Sequence, residues 1–245
     1  MGHGSERRRC RRRGTEHEVH RSWRTGAASL ALVTMLACAT LAAFGQSSAT
    51  AAAPERKTST PYIGDLSVFD YPERDKKLHI GRVMEILGIA PGKAVADIGA
   101  GSGWFTVRAA RQVTATGTVY AVDINPEAIG FIRERAKKDG LANVVTILGT
   151  ASDPRLSPES VDAVLLLKTY HEVAKPIDLM RNLRPALQPG ALVGIIDREG
   201  NGENHGVAMK IVIREMESAG YRLVQEHDDL VKDDKMDYFL VFRSQ

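Results

Sequence analysis

Cysteine is nearly missing from this chain. Its 245 residues include only Cys10 and Cys38, both close to the N-terminus. Everything after them can close no disulfide and offers no thiolate as nucleophile or metal ligand. Excess positive charge is missing from the body as well. Residues 1–26 hold eight arginines against three glutamates, residues 27–53 hold no charge, and the whole chain is only +3, so residues 54–245 are slightly acidic. The body therefore has no basic surplus with which to hold nucleic acid, and none is expected as a partner. No Gly-x-Ser-x-Gly turn, phosphate-binding lysine loop or internal repeat occurs in residues 54–245. These gaps remove the commonest signatures of serine hydrolases and nucleoside triphosphatases.

The first fifty residues have their own logic. An arginine-rich start, the uncharged Ala/Leu-rich stretch 27–44 and small residues at 49–53 form the pattern of a secretory signal peptide. The alternative is an uncleaved anchor, attached to the membrane through residues 27–44, because 18 residues is the lower edge of a spanning helix. Met35-Leu36-Ala37-Cys38 also loosely matches a lipoprotein signal that would lipidate Cys38. Each of these delivers the body outside the cytoplasm. A start codon set upstream of the true one would instead leave the protein cytoplasmic. The expected division is 1–53 as leader or anchor, 54–72 as a linker or lid carrying Tyr62, Phe69 and Tyr71, and 73–245 as one domain. The oligomeric state leaves no mark in the sequence.

The domain is organised around Val95-Ala96-Asp97-Ile98-Gly99-Ala100-Gly101-Ser102-Gly103-Trp104-Phe105. A buried strand runs into an acid, three alternate glycines form a tight turn, and a helix begins. Glycine lets a ligand approach the backbone with no Cβ in the way, and the new helix offers free N–H groups. Thr118–Asp123 is a second strand ending in a carboxylate, placed to accept hydrogen bonds from two ribose hydroxyls. A nucleoside-containing ligand is expected. The dinucleotide fingerprint has its third glycine one residue later, and Asp97 suits a cationic ligand better than a pyrophosphate. A turn with no ligand is the remaining alternative.

Asp97 to Gly103 resembles motif I of the class I S-adenosylmethionine-dependent methyltransferases, and Asp123 resembles the acid that ends their second strand. The resemblance extends over residues 73 to 245, and more loosely to the small-molecule group that includes the quinone-biosynthesis C-methyltransferases. It implies S-adenosylmethionine as cofactor, with Asp97, Gly99, Ala100, Gly101 and Gly103 around its methionine end, Asp123 on the ribose and Ile124 on the adenine face. In many family members an acid near position 150 binds the adenine amino group. Here Thr150 stands there, leaving Thr150, Ala151 and Asp153 as candidates. Lys168 is a candidate for the cofactor's carboxylate end.

Along the chain, the pattern predicts helices over 73–87, 104–112, 126–138, 176–187 and 207–219. Strands are predicted over 95–98, 118–123, 144–148, 161–167, 191–196, 221–226 and 238–242. Pro91-Gly92 and Pro189-Gly190 read as turns into the first and fifth strands. Alternation of strand and helix gives an α/β fold: a Rossmann-like, seven-stranded, mostly parallel sheet with helices on both faces. The last two strands have no helix between them and close it as an antiparallel hairpin. Ligands should lie beyond the carboxyl ends of the first, second and fourth strands.

Methyl transfer from a sulfonium needs little beyond alignment, and a base matters only for an acceptor of high pKa. His171, after the fourth strand, is the candidate base, with Tyr170 to orient the acceptor; the alternatives are a helix cap for His171 and core packing for Tyr170. Asp197, Arg198, Glu199, Asn204 and His205 in the loop after the fifth strand are substrate-contact candidates; the alternative is a flexible polar loop. His205 with Asp197 and Glu199 lacks the spacing and the second histidine of a metal centre, so no metal is expected. The absence of an Asn-Pro-Pro-Tyr-like run after the fourth strand argues against nucleobase amino-methylation. The short loop after the fifth strand and the lack of a basic excess favour a small-molecule acceptor. Two other classes stay open: a nucleotide-binding sensor or partner subunit without turnover, and an NAD-dependent oxidoreductase.

Overall fold

The computed structural model describes residues 56–245. The expected signal peptide, the apolar stretch 27–44 and Cys38 lie outside the described residues. Among the described residues, no helix is long and apolar enough to cross a membrane.

Seven strands form one sheet: β1 (Ala94–Ile98), β2 (Thr118–Asp123), β3 (Val144–Leu148), β4 (Val161–Leu167), β5 (Leu187–Asp197), β6 (Tyr221–His227) and β7 (Tyr238–Ser244). Their order is β3-β2-β1-β4-β5-β7-β6. The first five run parallel, while β7 inserts antiparallel between β5 and β6. The strand order reverses beside β1, where β2 lies on one side and β4 on the other. A parallel sheet opens a ligand crevice at such a switch, outside the carboxyl ends of its strands.

Six helices accompany the sheet: α1 (Arg74–Lys77), α2 (Ile80–Ile86), α3 (Trp104–Val113), α4 (Pro126–Lys138), α5 (Pro176–Leu183) and α6 (Met209–Ser218). α2 and α3 pack on one face against Val95, Val119, Leu165 and Phe239, and Ile132 of α4 joins Ala121 there. α5 and α6 cover the other face against Val164, Leu166, Ile195 and Leu240. β4 is apolar at nearly every position because both of its faces are covered, as buried parallel strands require.

Local chemistry explains several boundaries. Pro126 begins α4 with its missing N–H at a position that needs no partner, and the Asn125 side chain accepts from the Glu127 amide. The helix expected over 73–87 is instead two short helices, broken where His79 adopts a left-handed φ of 44°. The break lets Arg74 and Leu78 turn inward together with Ile80, Val83 and Met84. Pro185 stops α5 early, and the chain continues through a 3-10 turn over Arg184–Ala186. Pro189-Gly190 does not precede β5. Pairing passes from Val161–Leu187 directly to Ala163–Leu192, so the intervening residues bow out of the strand as a bulge. α6 starts two residues later than expected, because Val207 forms an isolated bridge with Asn201.

Gly194 lies in the middle of β5, where the Leu87 side chain and the Phe239 ring close over it. A Cβ there would sit 2.9 Å from Phe239 and 3.1 Å from Leu87. Gly194→Val should therefore destabilise the fold by about 1–3 kcal/mol through overpacking. The urea midpoint of the variant measures this, and an unchanged midpoint would contradict the packing described.

Candidate functional site

A cavity of about 930 Å³ opens at the carboxyl ends of β1, β2, β4 and β5. Its size is at the upper end for small-molecule sites, with room for a cofactor and an acceptor together.

The floor is the glycine turn between β1 and α3. Gly99, Gly101 and Gly103 all have positive φ, at 73°, 52° and 71°. At Gly99 the need is also steric: a Cβ would fall 2.2 Å from the Thr169 side chain. The Gly101 amide donates to Oδ2 of Asp123 at 2.8 Å, and the Asn125 amide to Oδ1 at 2.8 Å. These two bonds fix the carboxylate at the tip of β2, facing the cavity. Ile124, half exposed, lines the cavity beside it with Thr150 and Ala151.

Asp97 is buried in the same floor and accepts from the Thr106 hydroxyl at 2.6 Å. Burial pushes its carboxyl up to about 7; Thr106 pulls the other way, the charge of Asp123 adds to the rise and that of Arg74 opposes it. A buried carboxylate in this state is stabilised by any cation brought against it.

Arg74 was not anticipated as a site residue. It lines the cavity while only 5% exposed, donates from Nη1 to the Phe69 carbonyl at 2.7 Å and stacks 4.1 Å over the Trp104 ring. Its Nε is buried without a partner among the described residues. In sequence it is one charge in the run Glu73-Arg74-Asp75-Lys76-Lys77. Its partner Trp104 lies thirty residues away, so no local signal marked it.

At the β4 and β5 end of the cavity, a 3-10 turn over Tyr170–Glu172 follows β4. It sends successive side chains in different directions, and this corrects the expectation for Tyr170. Tyr170 does not line the cavity. It is fully buried in the core, its hydroxyl beside Glu215 and the Arg56 guanidinium 5.4 Å from its ring. His171 faces the cavity instead, and it does not cap α5. Its Nδ1 lies 2.8 Å from Oδ1 of Asp197, and its backbone amide donates to Oδ2 at 3.0 Å. Asp197, fully buried, also accepts from the Arg198 amide at 2.9 Å. A carboxylate only accepts, so the neutral imidazole carries its proton on Nδ1 and keeps a lone pair on Nε2.

Two further expectations change. Asp153 does not line the cavity: its backbone and carboxylate close the turn after β3, accepting from the Thr150 and Arg155 amides. Lys168 does line the cavity, but its ammonium is held 2.5 Å from Asp234 and 3.0 Å from the Tyr71 hydroxyl. Two of its three N–H donors are engaged there, and the third is left for a ligand.

Of the loop after β5, Arg198 and His205 line the cavity. Glu199 is spent on the start of α6, accepting from the Met209 amide. His205 brings its ring edge-to-face with that of His171, centroids 5.8 Å apart. The fold thus supplies the second histidine that the linear sequence did not pair. Glu172 stands beside them, with Oε1 3.7 Å from Nε2 of His171, and burial raises its carboxyl to about 7.

Residues 58–63, Leu66 and Phe69 form the remaining wall. Arg56 donates to the carbonyl of Tyr170 at 2.6 Å and pairs with Glu215. Ser59 links the carbonyls of His171 and Gly202 and the amide of His205. The segment is tied to the loops after β4 and β5.

Comparison with known proteins agrees with this geometry. The family model described as a methyltransferase domain matches residues 89–237. The chain belongs to that family. Its fold is that of a class I S-adenosylmethionine-dependent methyltransferase. A crystal structure of such an enzyme from Aquifex aeolicus superposes with a TM-score of 0.66 at 23% identity, covering 74% of this chain and 98% of that one. Among curated proteins, a protein-L-isoaspartate O-methyltransferase of Aeropyrum pernix is 38% identical over 82 residues, 32% of each chain. An arsenite methyltransferase of Halobacterium salinarum is 31% identical over 123 residues, 50% of this chain and 32% of that protein. The chain spans about a third of the length of these two relatives.

The cofactor of this family is S-adenosylmethionine, and the floor has the right chemistry for it. It offers a buried carboxyl that a cationic ligand would ionise, a second carboxylate held at the tip of β2, and a backbone with no Cβ over Gly101. Because the ligand is cationic, its binding should favour ionised Asp97. Affinity should therefore rise with pH up to about 7, by at most tenfold per pH unit, and level off above. Asp123 and Arg74 are the charged neighbours that set this midpoint. Calorimetric titration between pH 5.5 and 8.5 measures it. Asp97→Asn should flatten the profile, and a flat wild-type profile would contradict the assignment.

Proposed function

We propose that the protein transfers a methyl group from S-adenosylmethionine to a small-molecule acceptor activated at Nε2 of His171. The observation that carries this reading is one cavity with a nucleoside-type floor at one end and a buried-carboxylate-oriented histidine at the other. The cofactor supplies an already activated methyl group on a sulfonium. Asp123 would take the ribose hydroxyls, Ile124, Thr150 and Ala151 would surround the adenine, and Gly99, Ala100, Gly101, Gly103 and Asp97 would surround the methionine end. Arg74, with its unsatisfied Nε, is the candidate for the cofactor's carboxylate.

Asp197 holds the His171 imidazole in one tautomer and one orientation. A lone pair fixed in this way can draw the proton from an acceptor hydroxyl, amine or thiol as it attacks. Walls formed by residues 58–63 and Phe69 favour a small acceptor over a folded polymer. The named relatives act on a protein and on arsenite. Neither substrate is carried over to this chain, which has no cysteine in residues 54–245 to hold arsenite.

Calorimetry on the full chain tests the cofactor half of the reading. S-adenosylmethionine and S-adenosylhomocysteine should bind in the micromolar range, and Asp123→Ala should weaken both by about 1.5–3 kcal/mol, a loss of ten- to a hundredfold. Binding of NAD in their place would overturn it. Turnover against a panel of phenols, amines, thiols and carbon acids tests the other half. His171→Asn should lower kcat by about 100-fold or more while leaving cofactor affinity nearly unchanged. Tight cofactor binding with no turnover on any acceptor would support the non-catalytic sensor reading instead.

A further inference from the structure

We propose that His171, Glu172 and His205 together form a binding site for one divalent transition-metal ion, of the zinc class, at the acceptor end of the cavity. The proposal rests on the reading that the acceptor is activated at the His171 end of the cavity; it gives Nε2 to the ion, so that the acceptor meets the metal in place of the imidazole.

One ligand atom from each of the three side chains lies within 4.8 Å of the others. A tetrahedral ion with bonds of about 2.1 Å holds its ligands about 3.4 Å apart, so modest rotation of the two more exposed side chains closes the set. His171 is the fixed member. Its Nδ1 is bonded to the buried Asp197, so the neutral imidazole has its lone pair on Nε2; this carboxylate–histidine pairing is what orients and strengthens metal-binding imidazoles. His205 is held from behind. Its amide donates to the Ser59 hydroxyl at 2.9 Å, its carbonyl accepts from Arg198 at 2.6 Å, and its φ is 56°. Glu172 supplies the negative charge, and its ion-pair partner among the described residues is His171 alone.

Two imidazoles and a carboxylate select borderline transition metals over magnesium or calcium. Three protein ligands also leave a coordination position open, as in catalytic rather than structural zinc sites. An acceptor hydroxyl or thiol in that position is acidified by the ion and loses its proton to solvent water. The acceptor's lone pair is then free without a proton resting on His171.

The test is zinc binding by the full chain, stripped with chelator, followed by calorimetry and by metal analysis after dialysis. His3, His17, His20 and the two leader cysteines provide a background common to all variants. Wild type should hold one more equivalent than His205→Ala, and Glu172→Gln should weaken that equivalent at least tenfold. Thermal melts without metal should coincide, showing that the variants fold. Cobalt in the same equivalent should give a d–d spectrum without a thiolate charge-transfer band. If wild type and His205→Ala bind zinc identically, the proposal is overturned. The loss of turnover in His171→Asn would then stand alone and assign proton transfer to the imidazole itself. Loss of turnover in the zinc-stripped wild type, restored by zinc but not in His205→Ala, would support the ion.

Discussion

The β4 and β5 end of the cavity depends on a carboxylate that water does not reach. Asp197 ends β5 with no exposed surface, and its oxygens accept from the His171 imidazole, the His171 amide and the Arg198 amide. Its own carbonyl accepts from the Asp237 amide at the start of β7. A buried charge without such partners would cost several kcal/mol, so the two loops after β4 and β5 and the start of β7 are held together by its need for donors. The same bonds decide which nitrogen of His171 faces the cavity. Fold and chemistry share this one constraint.

A second constraint works from the other side. Asp123 is tied to the Gly101 amide, so the tip of β2 and the glycine turn after β1 move as one unit. Thr169 fills the space over Gly99, which links the turn after β4 to the same floor. The glycine floor and the His171 end of the cavity therefore meet at Thr169 and His171, two residues apart in one turn. On the proposed reading, small displacements there change the distance between donor and acceptor, to which in-line transfer is most sensitive.

Much of the frame was legible in the sequence because it is written in local terms. β2, β3, β4 and α4 have the bounds that their apolar runs, Pro126 and the glycines imply. The glycine turn and Asp123 were legible for the same reason, since spacing along the chain fixes them. What could not be read depends on encounters between distant segments. Tyr170 and His171 are neighbours in sequence, yet a 3-10 turn sends one into the core and the other to the cavity. His205 meets His171 only because β4 and β5 are adjacent, and Arg74 enters the site only because the helix over 73–87 is broken at His79. The bulge at Pro189-Gly190 looked like a turn because both use the same residues.

On the proposed reading, one cavity holds cofactor and acceptor between Asp123 and His171. A crystal structure of the full chain with S-adenosylhomocysteine measures this. Ribose hydroxyls are expected on Asp123, adenine against Ile124 and the sulfur directed toward Nε2 of His171. A ligand bound with its sulfur turned away from His171, or outside this cavity, would contradict it.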